Sequence, residues 1–330
     1  MEPNPLLALP TMAEDRARVE QELLAAVHTD EPRLTEMARH LIMAGGKRVR
    51  PLFAVAAAAC AEGFAGPAHR DVVRGGVAVE LVHLGSLHHD DVIDEAVTRR
   101  GVESVNARWG NLRAIISGDL LLARASEIAA SLGTEVAGLL AATIGQLCEG
   151  EVLELDTAYR VDRSEDSYLA SIERKTASLF SAAARIGALV ADLPRDQVDR
   201  LTRFGLRYGI VFQIVDDVLD VVATDEQLGK PAGHDLVEGV YTLPVLRALH
   251  GPYGGELREL LSTPVHGATW VRARELVRAS DGVEQAIQTA RAYATWAIEE
   301  LEPLAHRPAA RALQGAASAL LDSVEAVRAA

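Results

Sequence analysis

An all-α fold, a single domain of roughly a dozen helices, is predicted by three features of the 330-residue sequence. Apolar residues recur at three- and four-residue spacing almost throughout. Aromatics are only 4% while hydrophobic residues reach 49%, carried mainly by Ala and Leu, a bias towards helix over strand. No segment alternates apolar and polar residues like a half-buried strand, and no low-complexity linker divides the chain.

The elements follow in order. Residues 1–12 are expected to be a flexible terminus, with the folded domain over 13–330. "AEDRARVEQELLAAVH" reads as an amphipathic first helix and "PRLTEMARHLIMAGG" as a second, ended by glycines. Pro51 opens the third in its first turn, where proline is tolerated. "HRDVVRGGVAVELVHLGSLHHDDVID" reads as one long helix. Two more follow, from Asn111 and from Glu135. "SYLASIERKTASLFSAAARIGALVADL" and "QVDRLTRFGLRYGIVFQIVDDVLDVVA" are long helices again. "GKPAGHDLVEGVYTLP" is a loop with short helical pieces, and three or four shorter helices close the chain.

Bulk properties narrow the function. Lys+Arg 33 against Asp+Glu 47 gives a net charge of −14, the wrong balance for a general nucleic-acid binder. Cys60 and Cys148 lie in Ala/Leu-rich surroundings and read as buried thiols in a reducing cytoplasm. The N-terminus lacks a basic stretch followed by a long apolar one, so no secretion signal is read. The apolar run around 51–61 is too short to span a bilayer.

Charge is massed in two places. Asp90 and Asp94 are four apart, one turn apart on one helical face, with Asp91 roughly 100° round. Clustered carboxylates repel one another, and hard divalent cations such as Mg²⁺, which take oxygen ligands, resolve this. A solvent-facing acidic turn would look the same. A second copy weighs against that: Asp216, Asp217 and Asp220 repeat the D-D-x-x-D spacing among Ile214, Val215, Val218, Leu219 and Val221. The bases stand at punctuation points. Lys47 and Arg50 are three apart beside Gly45 and Gly46 at a helix start, where anions are favoured. Arg99 and Arg100 follow the first acidic cluster, with Lys175 and Lys230 further on. The pattern suits two polyanionic groups, one bridged by metals to the aspartates and one held directly by Lys and Arg.

These motifs resemble the trans-type polyprenyl diphosphate synthases. The resemblance runs from about Gly45 to Pro244, through "GGKRVRP", "HDDVID" with "RRG" behind it, "GDLLLARA", "KTASLF", "FQIVDDVLD" and "GKPAGHDL". It implies the isoprenoid synthase fold around a deep central cavity. It also implies Mg²⁺-dependent head-to-tail condensation of isopentenyl diphosphate onto an allylic diphosphate such as farnesyl diphosphate. By the same resemblance Lys47, Arg50, His83 and Arg100 hold isopentenyl diphosphate. Asp90 and Asp94 are the main metal ligands of the first motif, with Asp91 beside them. Asp216 leads the second, with Asp217 and Asp220 supporting. Arg99, Lys175, Thr176, Gln213 and Lys230 surround the allylic diphosphate and its developing cation. Three Mg²⁺ per site, a homodimer, and transient membrane contact at product release also follow from it. A lone His on an apolar helix is ordinarily a core residue, but His83 lies seven residues before Asp90, near the same face. His88 and His89 adjoin the aspartates and are left as structural. One departure stands out: many relatives carry a Lys in the stretch matching "EGVYTLP", where this chain has Val240 and Tyr241.

Side-chain size before Asp90 bears on product length, because a growing chain runs alongside this helix at about 5.4 Å per turn. Ser86 and Gly85 are small, and short-chain relatives tend to carry an aromatic at one of these positions. Val82 and Val79, deeper, are medium-sized. The expectation is a deep tunnel and a C35–C50 product of roughly seven to ten isoprene units, for a respiratory quinone side chain. Gly85 and Ser86 would equally serve close helix packing. Competing readings are a farnesyl or geranylgeranyl diphosphate synthase, a class I terpene cyclase, a phosphohydrolase built on the His89–Asp90 pair, and a non-catalytic subunit. The phosphohydrolase leaves the second aspartate motif and "RRG" unexplained, and a non-catalytic subunit would have lost its aspartates.

Overall fold

The computed structural model describes residues 4–228 and 232–329. The chain opens with α1 (Met12–Ala26), α2 (Pro32–Met43) and α3 (Val49–Ala58). The long α4 (Arg70–Ile93) leads to a small hairpin, β1 (Thr98–Arg99) with β2 (Val102–Glu103), then to α5 (Val105–Trp109), α6 (Asn111–Ser131) and α7 (Thr134–Leu155). α8 (Glu165–Ile172) passes through a π-helical turn at Glu173–Ala177 into α9 (Ser178–Val190), followed by α10 (Arg195–Val222). Short helices α11 (Asp225–Leu228), α12 (His234–Glu238), α13 (Leu243–Ala248) and α14 (Gly254–Leu260) precede α15 (Gly267–Ala279), α16 (Gly282–Leu301) and α17 (Pro308–Ala329).

Two hydrophobic clusters meet along α9 and α10. One packs α4 against α3, α6 and α9, and contains Phe53, Phe180, Phe204 and Tyr208 in mutual ring contact. The other surrounds the C-terminal half of α10 with α13, α15 and α16. Interlocking aromatics of this kind fix helix positions through area and edge-to-face geometry.

α4 and α10 share a feature that no stability rule asks for. Each helix ends in aspartates and has no basic residue in its last turn. A helix C-terminus already carries partial negative charge, so acidic residues there are unfavourable. At α10 the end is closed from outside: Arg274 and Arg278 of α15 donate to the carbonyls of Val221, Val222 and Ala223. At α4 the compensation comes from the hairpin.

That hairpin was not visible as alternation, because its strands are two residues long. Its pairs are Thr98 with Glu103 and Arg99 with Val102. Arg100 and Gly101 turn the corner at φ 55° and 77°, as two-residue hairpins require. Two other expectations are corrected. Within residues 4–12, Pro5–Ala8 form a 3₁₀ turn with Leu6 fully buried, so this part of the expected flexible terminus is docked on the core. α8 and α9 are not one α-helix, since the π turn intervenes. α7 is long and apolar enough to cross a bilayer by length and composition, a longer stretch than the one around 51–61, and only 22% of its apolar window is buried.

Candidate active site

A cavity of about 570 Å³ lies where the C-terminal ends of α4 and α7, the π turn and α10 converge. Asp90 and Asp94 enter from α4, Glu151 and Glu154 from α7, Lys175 and Thr176 from the π turn, and Gln213 and Asp217 from α10. Among the described residues its wall holds eight carboxylates against three bases, Arg99, Arg163 and Lys175. Burial pushes Asp90 up to about 7; Lys175 opposes this, while Glu151 and Asp94 add to it. Burial alone would lower the Lys175 ammonium, but Glu154 and Glu151, at 2.6 and 2.7 Å, outweigh it and hold the group firmly protonated.

A relay crosses the cavity wall. Thr176 Oγ1 donates to Gln213 Oε1 at 2.8 Å, and Gln213 Nε2 donates to Asp217 Oδ1 at 2.8 Å. Tyr168 donates its hydroxyl to Asp217 Oδ2 at 2.5 Å. Burial raises the Asp217 carboxyl, with these two hydrogen bonds working the other way. Both Asp217 oxygens are therefore engaged, whereas the neighbouring Asp216 is exposed and has no partner among the described residues. Asp216 is not in the cavity lining.

A second cavity, about 310 Å³, adjoins the first along α4, the hairpin and α10. It gathers Lys47, Arg50, His83 and Arg100 with Phe180 and Phe212. Arg50 lies 4.8 Å over the Phe180 ring; burial lowers it to about 10, which leaves it charged at neutral pH. Burial, then Arg50 and Arg100, drive His83 well below its ordinary range, so its imidazole is neutral. Arg48 also lines this cavity, but its guanidinium is already engaged. It pairs with Glu20 at 2.8 Å and with buried Glu80 at 3.1 Å, and donates to Ile42 O at 2.8 Å. The residue between Lys47 and Arg50 thus fastens the glycine loop from behind.

The structure separates the predicted residues. Asp90, Asp94, Asp217, Arg99, Lys175, Thr176 and Gln213 share the first cavity; Lys47, Arg50, His83 and Arg100 share the second. Of the six aspartates expected at the metal, Asp90, Asp94 and Asp217 line the cavity and Asp91, Asp216 and Asp220 do not. Asp91, turned about a quarter round the helix, is fully buried and pairs with Arg99 at 2.6 Å. Asp220 is buried and accepts from the backbone N–H groups of His234 and Asp235. Lys230 lies outside the described residues. The chain-length positions line neither cavity. Gly85 meets α6 so closely that a Cβ would stand 3.1 Å from Gly118 O and 3.2 Å from Leu122. It serves helix crossing. Val79 and Val82 are fully buried core, and Ser86, half-buried, donates to His83 O. Sequence reasoning missed Glu151, Glu154, Arg163 and Tyr168. Glu149, Glu151 and Glu154, massed in the last two turns of α7 after a long uncharged stretch, were the available signal.

The donor set suits a hard divalent cation. The lining acids offer only oxygen, outnumber the bases, and include two carboxyls, Asp90 and Asp217, that burial raises to about 7. Among the described residues no three His, Cys, Asp or Glu side chains form a ready cage, which matches an ion that keeps waters and takes substrate oxygens.

Residues 31–269 match the family model described as Polyprenyl synthetase. The nonaprenyl diphosphate synthase of Mycobacterium tuberculosis is 42% identical over 301 residues, covering 90% of this chain and 89% of that one. The geranylgeranyl diphosphate synthase of Methanosarcina mazei is 40% identical over 233 residues, 69% of this chain and 70% of that one. The crystal structure of a polyprenyl synthase from Caulobacter crescentus, complexed with calcium and isoprenyl diphosphate, superposes with a TM-score of 0.89 at 34% identity, covering 96% of both chains.

Proposed function

The chain belongs to the polyprenyl synthetase family, and from that premise we propose a long-chain all-trans polyprenyl diphosphate synthase, a prenyltransferase. One observation carries the reading: a single hairpin feeds Arg99 into a carboxylate-rich cavity and Arg100 into a base-lined one beside it. The first suits an allylic diphosphate with its metals. The second suits isopentenyl diphosphate, gripped directly by Lys47, Arg50 and Arg100.

Asp90 and Asp94, with the exposed Asp216, would hold the metal, and Asp217 braces the helix that carries Asp216. Magnesium, three ions per site, would supply Lewis-acid charge at the leaving diphosphate. Lys175 and Arg99 stabilise the negative charge that grows as the allylic C–O bond breaks. The oxygens of Thr176 and Gln213 stand beside the cationic carbon. The isopentenyl double bond attacks that carbon, and the proton shed from the new chain passes to pyrophosphate. Neutral His83 helps seat the diphosphate without adding a charge that burial would penalise.

A C35–C50 product for a respiratory quinone is supported by the nonaprenyl relative, which matches over more of the chain than the geranylgeranyl one. A homodimer is supported by Leu112, Ile115 and Ile116 on α6 and Val152 and Leu155 on α7, all exposed. So apolar a product calls for transient membrane contact at release. The unpaired Cys60, buried as expected, and Cys148, exposed where a buried thiol was expected, suit a cytoplasmic location. Incubation with farnesyl diphosphate, isopentenyl diphosphate and Mg²⁺, followed by reversed-phase sizing of the dephosphorylated product, tests the reading. A C35–C50 ladder is expected. Pyrophosphate release without isopentenyl diphosphate would replace it with a cyclase.

A further inference from the structure

Arg163 stands in the wall of the carboxylate-rich cavity, just before the first turn of α8, and has no ion-pair partner among the described residues. Its side chain is almost wholly enclosed, at 6% exposure. Its Nη1 donates to the carbonyl of Tyr241 at 3.3 Å, and its guanidinium lies 5.6 Å over the Tyr168 ring. Its Nε and Nη2 are both buried and donate to nothing. Two orphaned N–H groups on one buried cation are costly, and such groups call for a partner.

The missing partner is not a protein carboxylate. Glu154 is taken by Lys175, and Asp217 by Tyr168 and Gln213. Nε and Nη2 form the side-on edge of the guanidinium, the edge that grips two oxygens of one phosphate or carboxylate at once. Nη1, on the opposite corner, and the aromatic ring beneath keep that edge from rotating away. Across the same wall Val240 supplies no charge.

The geometry points to Arg163 as a substrate-binding residue: its Nε–Nη2 edge receives the diphosphate of the allylic substrate in the metal-binding cavity. The assignment rests on the synthase reading above. It adds a third base to that cavity beside Arg99 and Lys175, and, among the described residues, it alone of the three has no carboxylate partner.

Isothermal titration of farnesyl diphosphate into the full chain with Mg²⁺, without isopentenyl diphosphate, tests it alongside steady-state kinetics. Arg163→Gln should weaken farnesyl diphosphate binding about tenfold or more, with the KM for isopentenyl diphosphate changed less than about twofold. Arg163→Lys, which keeps the charge but not the fork, should fall between, and Val240→Lys placed in the Arg163→Gln background should recover part of the affinity. An Arg163→Gln chain that binds farnesyl diphosphate as the parent does overturns the assignment, as does an equal loss for both substrates. If Arg163→Gln does not fold, Arg163→Lys decides. Weakened binding at unchanged Tm supports the role, and parental binding removes it. A parent chain that fails to elongate farnesyl diphosphate would instead bring down the synthase reading itself.

Discussion

The two cavities share α4, α10 and the hairpin, yet they treat charge in opposite ways. One holds eight carboxylates and three bases; the other gathers Lys47, Arg48, Arg50 and Arg100 around a single acid, Glu80. Both suit diphosphates. A base-lined cavity can take one directly, so it binds without breaking it. An acidic cavity takes one only through cations, which places concentrated positive charge on the leaving group. The contrast assigns the bond-breaking substrate to the acidic side.

The strongest way to break that contrast is to remove its metal ligand. Asp90→Ala should slow turnover roughly a thousandfold, about 3–5 kcal/mol of barrier, while leaving isopentenyl diphosphate binding intact; near-normal turnover would rule out the metal role. Next comes the basic side. Arg50→Leu should raise the KM for isopentenyl diphosphate about thirtyfold with the farnesyl diphosphate KM little changed, and equal effects on both would dissolve the division of labour. Acidity sharpens the comparison. The Asp90 carboxyl, raised to about 7, is neutral below that pH and must lose its proton to bind metal. The Mg²⁺ needed for half-maximal rate should therefore climb as pH falls from 8 to 6, by about tenfold per unit at the acid end. A flat requirement would count against it. Tyr168→Phe removes one hydrogen bond to buried Asp217 and should cost about 1–3 kcal/mol of stability, read as a lower Tm with the KM for isopentenyl diphosphate unmoved. Ser86→Phe should do least to the rate but shorten the product; an unchanged size distribution would move the floor of the tunnel elsewhere.

Much of this was legible in the sequence because charge inside apolar helices is rarely idle. The aspartates of α4 and α10 stood out for that reason, and the helix order followed from periodicity alone. What escaped has physical causes. The hairpin strands are too short to alternate. The π turn shifts hydrogen bonds by one residue and leaves no mark on composition. Asp90 and Asp91 are adjacent in the chain but about a quarter-turn apart on the helix, so one meets the cavity and the other a buried partner. Gly85 is small for the sake of Gly118, which only the α4–α6 crossing reveals.

Arg99 and Arg100 are joined by one peptide bond at the corner of that two-residue turn. Whatever tilts the turn would move both guanidinium groups together, so a change in the turn itself reaches both seats, whereas a change at Asp90 or Arg50 reaches one. On the proposed reading, a chain of any length already built would leave the spacing between the two headgroup seats the same.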